Sequence, residues 1–267
     1  MYRSQIEPAG GQFRCTLSLA GGAGQTQHAL PDGLNGQFWT TLQSSDRQDV
    51  FVLSEREGVH RLLVASLTPG LRVGRDGEEG PELIDGDPTG LFSMEEWAQY
   101  FTADYLAMPY PGDALNRLGK RAYNCGVVLK ATVLDFPDQS ITDLASDTGA
   151  LKSIPGYKHA LEAGDLDASI LVMDLATAGL PAMMLVRAGR LSFPSRSWYP
   201  AGIMPDWSAH TQSLEGQAGD RIVIFTDIPN ESPGLKVFHR QIQSQSYLSA
   251  DGLAPATVLE IQIESRT

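Results

Sequence analysis

Short apolar runs with a two-residue period recur along this chain, and that period limits its fold more than any other feature. Phe13, Cys15, Leu17 and Leu19 alternate with Arg14, Thr16 and Ser18, the pattern of a strand with one buried face. Residues 37–42 and 49–53 repeat the β-rich character, residues 55–58 turn the chain, and residues 61–65 return it as a hairpin. Leu71-Arg72-Val73 adds a short strand, and the glycine-rich segment 74–81 reads as a loop. Further apolar runs lie at 123–136, 170–173, 183–186, 190–193, 222–225, 235–247 and 257–263. Strands at this density predict a mainly β, β-rich α+β protein built of antiparallel sandwich or barrel domains.

One helix is expected near 93–108. Ser93 and Glu96 form a capping box, and the acidic pair Glu95 and Glu96 favours the positive end of a helix. Trp97, Tyr100, Phe101, Tyr105 and Met108 follow at spacings of three and four, which makes one apolar face. That face reads as core, with Trp97, Tyr100 and Phe101 as candidate interface residues. Pro109-Tyr110-Pro111-Gly112 ends the helix and suggests a boundary between a β-rich domain at 1–110 and a second, sandwich-like one at 111–267.

Charge narrows the partners. The 267 residues hold 20 basic and 32 acidic groups, a net charge of −12. Such a surface repels nucleic acid and anionic membrane, which need Lys and Arg to replace counterions. No apolar run is long enough for a membrane-spanning helix, and the N-terminus has no apolar signal-peptide core, so assembly in the cytoplasm of the producing cell is expected. Cys15 and Cys125 read as small buried hydrophobes, with a disulfide between them left open.

Catalytic patterns are sparse. His28, His60, His159, His210 and His239 show no metal spacing, so no metal and no cofactor is expected. Gly21-Gly22-Ala23-Gly24 is not followed by a helix pattern and reads as a turn rather than a dinucleotide loop. Ser208 and His210 share a strand face without the strand–turn–helix context of a serine hydrolase. The carboxylate pairs Asp165/Asp167, Asp143/Asp147 and Glu78/Glu79, and the segment Asp85-Gly86-Asp87, read as solvated acidic loops. Trp198, Tyr199 and Trp207 sit in Pro- and Gly-bounded loop sequence and are candidate ligand-binding aromatics.

Phe38-Trp39, Asp49-Val50-Phe51-Val52, Glu57-Gly58, Leu62-Leu63-Val64, the 74–80 loop, Asp85-Gly86-Asp87 and residues 93–97 follow one another in an order that carries a resemblance. The stretch 38–97 resembles a short module of tail- and fibre-associated virion proteins of tailed bacteriophages. The resemblance implies a non-enzymatic structural component of a tail, baseplate or fibre, located in the virion. It would work through contacts with other virion proteins, as a homo-oligomer or within a symmetric assembly. The alternatives are a carbohydrate-binding adhesin module that grips a host glycan through Trp198, Tyr199 and Trp207, and a glycan hydrolase of unfamiliar type.

Overall fold

The computed structural model describes residues 2–8, 13–20, 25–30, 35–44, 47–56, 59–69, 71–72, 82–83, 108–136, 170–195, 198–227 and 257–266. Among these residues, fifteen strands and one helix run in the order β1 (Tyr2–Ile6), β2 (Phe13–Ala20), β3 (Gln25–His28), β4 (Asn35–Ser44), β5 (Arg47–Arg56), β6 (Val59–Pro69), β7 (Leu71–Arg72), β8 (Glu82–Leu83), α1 (Pro111–Cys125), β9 (Val127–Phe136), β10 (Ile170–Ala178), β11 (Met184–Arg187), β12 (Arg190–Ser192), β13 (His210–Gln217), β14 (Arg221–Phe225) and β15 (Val258–Ser265). A six-stranded sheet has the order β1-β2-β15-β14-β11-β12, and a seven-stranded sheet the order β13-β10-β9-β6-β5-β4-β3. β7 and β8 form a separate short pair. The ladders within both sheets are antiparallel. The mainly β, antiparallel character read from the sequence is what the chain forms, and of the expected sandwich or barrel it takes two facing sheets. Each sheet draws strands from both sides of residue 110: β6 pairs with β9 from His60↔Phe136 to Pro69↔Val127.

The two sheets face each other over one large apolar core. Phe13, Cys15, Leu17 and Leu19 of β2 enter it, as their alternation requires, and meet Trp39, Phe51, Leu62, Val64, Leu134 and Phe136 of the other sheet. The Trp39 and Phe51 rings lie 4.9 Å apart there. The seven-stranded sheet is covered on its other face too. Phe38, Val50, Val52, Leu63, Ala65, Leu67, Leu129 and Val133 pack against Ala114, Leu115, Leu118 and Ala122 of α1. A strand buried on both faces reads as a continuous apolar run, which accounts for residues 50–53 and 62–65.

Helix α1 occupies residues where the sequence suggested a domain boundary and the start of a strand. Pro111 sits in its first turn, where a missing N–H costs nothing, and Asp113 complements the positive end. Gly126 closes it in the left-handed conformation at φ 67°, its N–H donating to the carbonyls of Ala122 and Tyr123. Residues 123–125 therefore belong to the helix, and the strand begins only at Val127. Of the expected helix at 93–108, only Met108 lies within the described residues; Trp97, Tyr100 and Phe101 lie outside them.

One buried ion pair is set into the helix-covered face. Arg61 and Asp135 are directly opposed on β6 and β9. The guanidinium donates from Nε to Asp135 Oδ1 at 2.7 Å and from Nη2 to Oδ2 at 2.6 Å, and its Nη1 donates to the Met108 carbonyl at 3.0 Å. Burial pushes the Asp135 carboxyl above its usual range, against the pull of Arg61. Removing one partner strands the other in an apolar setting. Asp135→Ala is therefore expected to cost about 3–5 kcal/mol, and the double change Arg61→Leu with Asp135→Leu much less, in urea denaturation.

Both cysteines are free thiols, and Cys15 is fully buried in the inter-sheet core. Burial, reinforced by the nearby charge of Glu264, pushes its thiol up to about 12 from the ordinary 9.0. The folded state thus keeps a proton that the unfolded chain releases. The stability this confers is complete below about pH 9 and is lost as the pH rises from there toward about 12. Stability measured from about pH 8 to about pH 10 is expected to fall less steeply in Cys15→Ala than in the wild-type chain, whatever the cost of the cavity.

Candidate functional site

The expected ligand aromatics lie in the connection between β12 and β13. Trp198 is 41% and Tyr199 63% exposed, and their rings meet edge to face with centroids 5.8 Å apart. The Trp198 indole N–H donates to the Ser208 carbonyl, and its ring stacks on His210 at 5.3 Å. His210 is thus a shelf for an indole. Trp207 turns the other way. Its N–H donates to the Tyr199 carbonyl, and its ring lies on α1 so closely that a Cβ at Gly119 would come within 2.9 Å of it. The three aromatics share one loop, but Trp207 serves the helix packing. Trp207→Ala is expected to lower stability by about 3 kcal/mol, whereas Tyr199→Ala should change it by less than about 0.5 kcal/mol, as read by thermal and urea melts.

A different set of residues forms the most concentrated polar cluster bridging the two sheets among the described residues. Arg47 and Asp49 stand two apart on β5 and share its inward face with Phe51 and Leu53. Ser66 is the cross-strand partner of Asp49 on β6. Thr226 and Asp227 immediately follow β14 in the other sheet, and Thr257 immediately precedes β15. The apolar runs end here, so the sandwich places carboxylates, hydroxyls and a guanidinium together at the rim of its core. Asp49 is 1% exposed, Asp227 is 50% exposed, and the Arg47 side chain is 15% exposed.

Hydrogen bonds tie the cluster across the sheets. Arg47 donates from Nη1 to Asp227 Oδ2 at 2.7 Å, from Nη2 to Thr226 Oγ1 at 2.9 Å, and from Nε to Ser66 Oγ at 3.1 Å and Asp49 Oδ1 at 3.2 Å. The Thr226 hydroxyl donates to Asp49 Oδ2 and accepts from the Thr257 backbone N–H at 2.9 Å. Sequence reasoning missed this site. Asp49 reads from the sequence as a strand residue, and neither Arg47 nor Asp227 stands out in it. The signal available was a charged pair with period two running into the inward face of an apolar strand.

No protein-family profile and no curated protein matches the chain. Solved structures do. The PP2C phosphatase domain with a fragment of the regulatory domain of SpoIIE from Bacillus subtilis aligns over 96% of this chain and 65% of that one, at 12% identity and a TM-score of 0.51. The chain has the fold of that phosphatase domain. It spans about two thirds of the SpoIIE chain it matches. Weaker likenesses are the RsbU and RsbW domains of Rv1364c from Mycobacterium tuberculosis (TM-score 0.48, 14% identity, 100% of this chain and 63% of that one) and RsbX in complex with magnesium (TM-score 0.46, 11% identity, 99% and 100%).

The likeness to the SpoIIE phosphatase domain overturns the resemblance to virion proteins. β4, β5 and β6, which hold the first part of that stretch, are adjacent antiparallel strands of the seven-stranded sheet, an order common to antiparallel sheets. The reading as a tail, baseplate or fibre component with virion partners falls with it, as do the adhesin and glycan-hydrolase alternatives and the expectation of a non-enzymatic chain.

The carboxylate and hydroxyl oxygens of the cluster raise the question of a divalent cation. Mg²⁺ takes about six oxygen ligands at about 2.1 Å, several of them carboxylates or water. Asp49, Asp227, Ser66 and Thr226 are hard oxygen donors of the right kind. Among the described residues, however, no three His, Cys, Asp or Glu side chains gather as a metal site, and the Arg47 guanidinium fills the space between the two carboxylates. The residues as arranged do not fit a divalent cation.

Proposed function

We propose that this chain is a regulatory protein of the serine/threonine phosphatase type, acting on a phosphorylated partner protein at the rim where β5 and β14 meet. The observation that carries this reading is the fold: SpoIIE's PP2C phosphatase domain is matched over 96% of the chain at a TM-score of 0.51. The cluster supports the location, since it is where the two sheets bring a buried carboxylate and hydroxyls together beside a half-exposed carboxylate. A polar cluster at the edge of a packed core is a common place for chemistry, because the surrounding strands fix each side chain at little entropic cost.

The net charge of −12 adds a constraint on the partner. A phosphorylated segment is itself anionic, so approach needs local positive charge or a basic sequence around the phosphorylated residue. Binding of phosphoserine and phosphothreonine peptides, and release of phosphate from them, would be measured on a panel with acidic, neutral and basic flanks. The expected result is a preference for basic flanks and a loss of at least about tenfold in Asp49→Asn. A chain that neither binds nor dephosphorylates any phosphopeptide better than its unphosphorylated counterpart would defeat the reading.

A further inference from the structure

We infer that Arg47 is the resident cation of the rim cluster and that its side chain keeps divalent metal out. The inference rests on the site proposed above but not on any reaction there. Arg47 lies between one carboxylate from each sheet, Asp49 and Asp227, and directs its N–H groups to both and to the hydroxyls of Ser66 and Thr226. A carboxylate as deeply buried as Asp49 needs a positive partner, because an unpaired charge in that setting is expensive. The guanidinium meets that need with a planar array of donors.

A metal ion would have to displace this side chain, because guanidinium nitrogens already stand within hydrogen-bond distance of both carboxylates. A cation entering beside a retained guanidinium would meet a like charge at close range. With the guanidinium gone, two carboxylates and two hydroxyls would remain at the rim, and such oxygens are the donor chemistry of Mg²⁺ or Mn²⁺. One side chain thus decides whether the site is a protein-internal ion pair or a metal cradle. In the wild-type chain its charge state is set by the sequence and does not follow the free metal concentration.

The test is a titration of the full chain with Mn²⁺ alone, read by the electron paramagnetic resonance signal of free Mn²⁺ and by the melting temperature. The wild-type chain is expected to show no saturable binding attributable to this site. Arg47→Gln is expected to bind Mn²⁺ at least about tenfold more tightly and to melt higher when Mn²⁺ is present, and the further change Asp49→Asn to remove both gains. Equal affinity in wild type and Arg47→Gln overturns the inference, as does a folded Arg47→Gln that takes up no Mn²⁺. Should Arg47→Gln not fold, the wild-type chain decides by itself. Saturable binding that Asp227→Asn abolishes overturns the inference, and the absence of such binding upholds it. No phosphopeptide enters the measurement, so its outcome is separate from that of the phosphatase reading.

Discussion

The central strands of the seven-stranded sheet, β5, β6 and β9, are buried on both faces, and most of the architecture follows from that. One face closes the core against the six-stranded sheet, and the other carries α1. A sheet in that position must be apolar at successive residues rather than alternate ones, and it tolerates charge only where a partner is built in. Arg61 and Asp135 are such a pair inside the helix-covered face, and Arg47 with Asp49 and Asp227 is another at the rim. Polar groups in this fold are therefore placed by the same constraint that sets the apolar pattern.

The fold class was legible because period two survives wherever one face of a strand is less crowded. β2 shows it plainly, with four inward residues out of register with three polar ones. Helix α1 was not legible, and the reason lies in its composition. Its packing surface uses small residues, Ala114, Gly119 and Ala122, between only two leucines, so no aromatic stripe announces it. Pro111 and Gly126 mark its two ends, but Pro111 also suits the end of a preceding helix, and Gly126 falls within the apolar run 123–136.

The rim cluster was illegible for a different reason. Arg47 and Asp227 are 180 positions apart, and Thr226 and Asp49 are 177 apart. Nothing local links them. They meet because β5 and β14 occupy facing sheets, which is a property of the strand order rather than of any motif. The loop aromatics gave the opposite outcome. Trp198, Tyr199 and Trp207 are conspicuous in sequence, yet Trp207 is spent on packing against α1 at Gly119. Residue type alone could not tell an aromatic that anchors a helix from one that waits for a partner.

The bond from Arg61 to the carbonyl of Met108 gives one side chain two structural duties. It fixes the alignment of β6 against β9 through Asp135, and it also holds the stretch that leads into α1. A slip of β6 by a single residue would rotate this arginine into the apolar gap between the sheets and release that stretch at the same time. Misregistered pairing is thereby penalised twice, once in the ladder and once at the doorway of the helix, so the chain carries an internal proofreading of its own strand alignment.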